Sequence, residues 1–246
     1  MTKSVAVTGA SRGIGKSIAR TFAKAGWQVF ALARKQADVT DIEGQVTFIH
    51  FDAADEKSVL AAAAELQKQP LFALVNNAGI ALSAPLSKTS VEDYQRIQDI
   101  NVKAPFLLCR ELMPAMAKNG GGRVVNIAST AGRKGFKYTA AYCASKHALV
   151  GLTKALAVEF AAKKVTVNTV SPGWTETDMY AATVAKIAQS TGKSSEEAKH
   201  ALESMTALGR PVTPDEVAQV VFFLCDSSAA SAITGSDYGI DGGETA

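Results

Sequence analysis

Residues 4–15 constrain this chain more than any other stretch. Ser4-Val-Ala-Val-Thr8 is a short apolar, β-branched run that passes without a break into Gly9-Ala-Ser-Arg-Gly13-Ile-Gly15 and then into a helical pattern. Strand, glycine turn and helix in that order predict a phosphate cradle. Glycines let the backbone approach a pyrophosphate closely, and the helix that follows offers free N–H groups and the positive end of its dipole. The spacing Gly-x-x-x-Gly-x-Gly departs from the common dinucleotide fingerprint Gly-x-Gly-x-x-Gly, and a sharp structural turn is the competing reading.

Beyond the cradle, apolar strands and amphipathic helices alternate. Strands are expected at 5–8, 28–33, 46–51, 72–76, 123–129 and 166–171 and near Tyr238, with helices starting near Ile14, Glu56, Val91, Ala140 and Pro214. Right-handed crossovers between such strands build an α/β fold with a doubly wound parallel sheet. Only residues 35–44 connect the second and third strands, close to the minimum for a parallel crossover, so a helix there shrinks to one turn or disappears. With 246 residues, 47% of them hydrophobic, and no Pro/Ser-rich linker or charge run, a single domain is expected.

Several function classes are disfavoured. A net charge of +3, with Lys and Arg scattered rather than striped, argues against nucleic acid. Cys109, Cys143 and Cys225 are far apart and lack metal-ligand spacing, as do His50, His147 and His200, so neither a metal centre nor a disulfide framework is expected. The first strand begins almost at once and no stretch reaches membrane-spanning length, which predicts a cytoplasmic protein.

The chemistry points to Tyr142-Cys-Ala-Ser-Lys146. A Tyr and a Lys four residues apart on a helix share one face, and an ammonium beside a phenol favours the phenolate, making Tyr142 a candidate acid/base. By itself the pattern is common, and a Tyr packing on a Lys stem is the bland alternative. Upstream, Arg123-Val-Val-Asn-Ile-Ala-Ser129 reads as a buried strand ending on a hydroxyl where a parallel sheet opens its ligand crevice. Ser129, Tyr142 and Lys146 are therefore expected to converge on one substrate oxygen.

Taken in order, these motifs resemble the short-chain dehydrogenase/reductase family over essentially the whole chain. Thr8 to Gly15 matches its Thr-Gly-x-x-x-Gly-x-Gly, Asn76-Asn77-Ala78-Gly79 its Asn-Asn-Ala-Gly, and Asn101 its catalytic asparagine. Ser129, Tyr142 and Lys146 complete the tetrad, and Pro172-Gly173 follows the sixth strand. The resemblance implies a Rossmann-type fold, a homotetramer, and a dinucleotide held by Gly9, Ser11, Arg12, Gly13, Ile14, Gly15, Asp52, Ala53, Asn77, Ala78, Gly79, Tyr142, Lys146, Pro172, Gly173, Thr175 and Thr177. It further implies that Tyr142 donates the proton, that Ser129 holds the carbonyl oxygen, that Lys146 binds the ribose hydroxyls, and that Asn101 positions a water. Asn101 falls inside a long helical pattern, where a local kink is expected. Asp52 has loop capping as its alternative role.

Cofactor choice is read at the end of the second strand, where an acid selects NAD. Ala33 stands in the acid's place, Arg34 follows it, and Arg12 lies in the glycine loop, so NADP(H) is expected. Residues 174–211 form a long insertion expected to be a helical substrate lid, with Trp174, Met179 and Tyr180 either walling an apolar pocket or packing onto the core. Residues 126–161 look most like bacterial ketoreductases acting on β-ketoacyl thioesters or polyketides, which implies reduction of a small-molecule ketone or acyl thioester. Alcohol or hydroxyacyl-CoA oxidation is the alternative, and a dinucleotide sensor without turnover is a remote one. Arg133, Lys134 and Lys137 form a cationic loop, either simply solvated or attracting the phosphates of a CoA or carrier-bound substrate.

Overall fold

The structure, a computed structural model, describes residues 3–246. Its centre is a seven-stranded parallel sheet of order β3-β2-β1-β4-β5-β6-β7, built from β1 (Ser4–Thr8), β2 (Gln28–Ala33), β3 (Val46–His50), β4 (Ala73–Asn76), β5 (Gly122–Ile127), β6 (Val165–Pro172) and β7 (Asp237–Ile240). The chain first moves outward from β1 to β3 and then restarts beside β1 with β4. That reversal opens a crevice at the carboxyl ends of β1 and β4, where a doubly wound sheet takes its ligands.

Both faces of the sheet are covered, and the strand period assigns the residues. Val5 and Val7 point into a core with Ile18 and Phe22 of α1 (Gly13–Lys24) and with Val217 and Val221 near the end of the chain, whereas Ala6 between them joins the opposite core. That second core contains Val59 and Leu66 of α2 (Glu56–Leu66), and it continues beyond α3 (Val91–Gln98) to Leu108, Leu112 and Met116 of α4 (Ala104–Lys118) and Phe160 of α5 (Ala140–Phe160). Strands buried on both faces need no polar side, which is why they read as nearly continuous apolar runs.

One detail differs from the sequence reading, and two expected irregularities take a definite form. The β5 strand stops at Ile127, and Ser129 lies in extended backbone just past it, although Ala128 N–H still donates to Val170 O at 2.8 Å. Between β2 and β3 there is a single 3-10 turn, Gln36–Val39, whose Val39 is buried with Ile42, as the short connection required. The long helix expected from Val91 is broken by a π-helical turn, Asp99–Lys103, centred on Asn101.

Residues 174–211 leave and return to the core at one place. Val212 N–H donates to Trp174 O at 2.8 Å and Glu176 N–H to Val212 O at 2.9 Å. Between these anchors lie α6 (Asp178–Thr191), which buries none of its residues, and α7 (Ser195–Glu203), which starts with a Ser194–Glu197 capping box and buries Ala198 and Leu202. Lys186 of α6 donates to Ser83 O at 2.7 Å, spanning to the loop after β4. The final helix, α8 (Pro214–Asp226), packs on α1.

Candidate active site

The glycine loop is shaped by the fold itself. Gly9 and Gly13 have φ of +67° and +53°, a region that favours glycine. The Thr8 hydroxyl accepts from Asn77 N–H and Ala78 N–H, each at 2.9 Å, while Asn77 Nδ2 donates back to Thr8 O at 2.9 Å and Gly9 O at 3.4 Å. A methyl group at Gly15 would strike Gly9 O and Asn77 Nδ2. Gly15 and the Asn77 side chain thus serve loop packing, a role the motif pattern did not separate from cofactor contact. Arg12 precedes α1 and Ile14 lies in its first turn; among the described residues no side chain caps that helix end, and no acid lies in its first turn. A cradle with free N–H groups and no acid at its helix end fits a dinucleotide diphosphate.

Ser129, Tyr142, Lys146 and Asn101 come together beside this loop. Tyr142 and Lys146 share a face of α5, with Lys146 Nζ 5.8 Å from the Tyr142 ring centroid and donating to Ile127 O at 2.9 Å. Lys146 is 4% exposed, and burial pushes its amine down to about 8. Burial also raises the Tyr142 phenol above its ordinary value, against the opposing pull of the neighbouring Ser129 hydroxyl. Burial leads the shift of Tyr142, and the same burial lowers the Lys146 amine beside it.

Asn101, 1% exposed, is clamped by the protein. Its Oδ1 accepts from Ile80 N–H, and its Nδ2 donates to Ile80 O, each at 2.9 Å, and to Ser145 Oγ at 3.0 Å. Ser145 in turn donates to Tyr142 O at 2.7 Å. This Ile80–Asn101–Ser145 chain went unseen in the sequence, where Ser145 was only a spacer before Lys146. Gly79 packs closely against these groups: a methyl there would sit 3.2 Å from Asn101 Oδ1 and 3.5 Å from Lys146 Nζ.

At the rim, Ala10 N–H donates to Leu32 O, which draws the glycine loop to the end of β2 and sets Arg12 and Arg34 on one edge, both exposed. Arg12 lies 3.8 Å from Asp178 of α6. Ser11, Arg12, Gly13, Thr177 and Tyr180 line a cleft of about 530 Å³ between loop and α6. The Asp52 carboxylate accepts from Ala54 N–H at 3.0 Å, which is the capping alternative, with Ala53 partly buried beside it. Gly173 N–H donates to Ile240 O, the Thr175 hydroxyl to Gly173 O, and Thr177 caps α6 through Tyr180 N–H. The Arg133–Lys137 loop is less free than its charge implied. Arg133 Nε binds Asp237 at 2.7 Å and Lys134 Nζ donates to Glu244 O at 2.6 Å, so two of its cations serve intramolecular ties.

A family model described as enoyl-(acyl carrier protein) reductase matches residues 9–245. The chain belongs to the short-chain dehydrogenase/reductase family. Among curated relatives of this short-chain enzyme, the 3-oxoacyl-[acyl-carrier-protein] reductase FabG of Rickettsia conorii is 36% identical, over 98% of this chain and 96% of that one. A 3beta-hydroxysteroid dehydrogenase of Mediterraneibacter gnavus is 34% identical over 99% and 95%. In three dimensions the chain is similar to a variant of actinorhodin polyketide ketoreductase with NADPH, with a TM-score of 0.93 and 33% identity, covering 99% of this chain and 97% of that one. One reductase fold thus accompanies relatives named for quite different substrates, so substrate assignment has to come from the site.

Proposed function

We propose that this short-chain enzyme reduces a ketone to a secondary alcohol with NADPH, and that the ketone is a 3-oxoacyl thioester or a close analogue. The observation that carries the reading is Tyr142, half-buried beside Ser129 and on the same helix face as Lys146: a protonated phenol at that place is set up to give a proton, the need of a carbonyl undergoing reduction. Relatives named as a 3-oxoacyl-carrier reductase and a polyketide ketoreductase support the substrate class.

NADPH, when bound, supplies the hydride to the carbonyl carbon. Gly9, Ser11, Gly13, Ile14 and Gly15 would form the wall of its diphosphate site and Arg12 and Arg34 the 2′-phosphate edge, with Asp52, Ala53, Asn77, Ala78 and Gly79 toward the adenosine and Pro172, Gly173, Thr175 and Thr177 toward the nicotinamide. Ser129 donates to the substrate oxygen while negative charge grows there, the stage at which a placed donor is worth most. Tyr142 then transfers its phenolic proton to that oxygen. Lys146 holds the ribose hydroxyls and, when charged, steadies the phenolate left behind. Because the Asn101 amide is engaged by Ile80 and Ser145, we assign its water-positioning role to the main-chain carbonyl in the π-turn.

We assign residues 174–211 the part of a substrate lid, anchored at Trp174 and Val212 and touching the opposite wall through Lys186. The family resemblance supports a cytoplasmic homotetramer. Phe106 of α4 and Val158 of α5, 44% and 84% exposed, offer apolar side chains for subunit contact, and no helix among the described residues is long and apolar enough to cross a membrane. Oxidation of the corresponding alcohol is the second reading, favoured by the relative named as a steroid dehydrogenase. NADPH consumption across ketones, including 3-oxoacyl groups on CoA and on a carrier protein, tests the proposal. Turnover of the thioesters with NADPH well ahead of NADH is expected. Tight NADPH binding with no turnover of any ketone would replace the reductase reading with that of a sensor.

A further inference from the structure

After β7 the chain does not run free. Residues 241–246 fold into a turn in which the Asp241 carboxylate accepts from Gly243 N–H at 3.0 Å, from Thr245 N–H at 3.2 Å and from the Thr245 hydroxyl. Lys134 holds the turn from outside through Glu244 O. The result drives the Glu244 side chain inward. It is 1% exposed, and its carboxyl oxygens find only long, weak contacts, with the Thr130 hydroxyl and with Lys134 Nζ. A methyl group at Gly173 would lie 2.7 Å from its Oε2, so the carboxyl rests on the turn after β6. The carboxyl also meets Thr130, next to Ser129, and Lys134, whose Nζ is 3.7 Å from Oε1. A buried carboxyl held so loosely is costly and calls for an explanation.

We propose that Glu244 is a positioning residue for the reduction: wedged between Gly173 and Thr130, it fixes the spacing between the turn that faces the nicotinamide and the loop that carries Ser129. The inference rests on the roles given above to Ser129 and Gly173. The charged groups around it are Lys134 and Arg133 from the loop after β5, and Asp237 and Asp241 from β7 and the turn, with Arg133 already bound to Asp237. Burial favours the protonated carboxyl, Lys134 opposes this, and Asp241 reinforces it. The neutral form is thus the well-docked one, and docking weakens as pH rises and the carboxyl ionises.

Glu244→Gln keeps the shape and removes the ionisation, while Glu244→Ala removes the wedge. NADPH affinity, read by tryptophan fluorescence, and kcat/KM for a ketone are measured for each from about pH 5 to about pH 8. The parent and the Gln variant should agree at the acid end, with the parent falling behind by about threefold or more at the alkaline end. The Ala variant should be impaired throughout. Parallel pH profiles for the parent and the Gln variant overturn the proposal, and so does an Ala variant that matches the parent in both readouts. If the Ala variant does not fold, the Gln comparison decides alone. Affinity that depends on residue 244 in a protein that reduces no ketone would keep the wedge and sink the reductase reading instead.

Discussion

Ala33 sits where an acid would select NAD, and its environment makes that choice hard to reverse. It is 4% exposed and belongs to the core that holds Val39 and Ile42. A carboxylate there would be buried without a partner, so Ala33→Asp should lower unfolding free energy in urea by about 1–3 kcal/mol before any gain for NADH appears. Arg34 is exposed, and Arg34→Ala should weaken NADPH by about tenfold while leaving NADH nearly unchanged, as fluorescence titration with both cofactors would show. Tyr142→Phe keeps the half-buried ring and removes the proton. Turnover should drop by about 10²–10⁴-fold with NADPH affinity intact, and near-parental rates in a stopped-flow assay would exclude Tyr142 as the acid. The sequence displays which residue types stand at these positions. It does not display that Ala33 lies under Val39 and Ile42, because that packing arises from a connection whose shape was open.

At the scale of elements, the parallel strands were legible because burial on both faces leaves an unbroken apolar run, and the shortness of 35–44 correctly limited its helix to a turn. The π-turn at Asp99–Lys103 was visible only as an Asn in an awkward place. What sets it is distant: the Asn101 amide closes on both backbone groups of Ile80, and nothing local in either segment announces the pairing. Asn101→Ala would leave Ile80 N–H and C=O and the Ser145 hydroxyl short of a partner, at about 1–3 kcal/mol for each group that water cannot reach. Hydrogen exchange should quicken at Ile80 and in the Asp99–Lys103 turn, while β1 and β5 stay protected. Exchange spread evenly over the sheet would show that the clamp is not local.

Over the whole molecule, the most consequential charge is Lys146. Its amine is held near 8, below the unfolded value of about 10.5, so the unfolded chain binds this proton more tightly. The resulting penalty is complete below about pH 8 and is relieved as pH rises toward about 10.5, where this group alone makes the fold more stable. Lys146→Met should therefore raise the melting temperature at neutral pH while abolishing turnover, and the gain should shrink in alkaline buffer. A variant that melts lower at pH 7 would show that the bond to Ile127 O outweighs the buried charge. The clasp between Thr8 and Asn77 has a different reach. It ties the glycine loop to the end of a neighbouring central strand, so the loop's conformational freedom is lost when the sheet assembles, not when a ligand arrives. Association then meets a surface already in shape, and little of the intrinsic affinity is spent on ordering the chain.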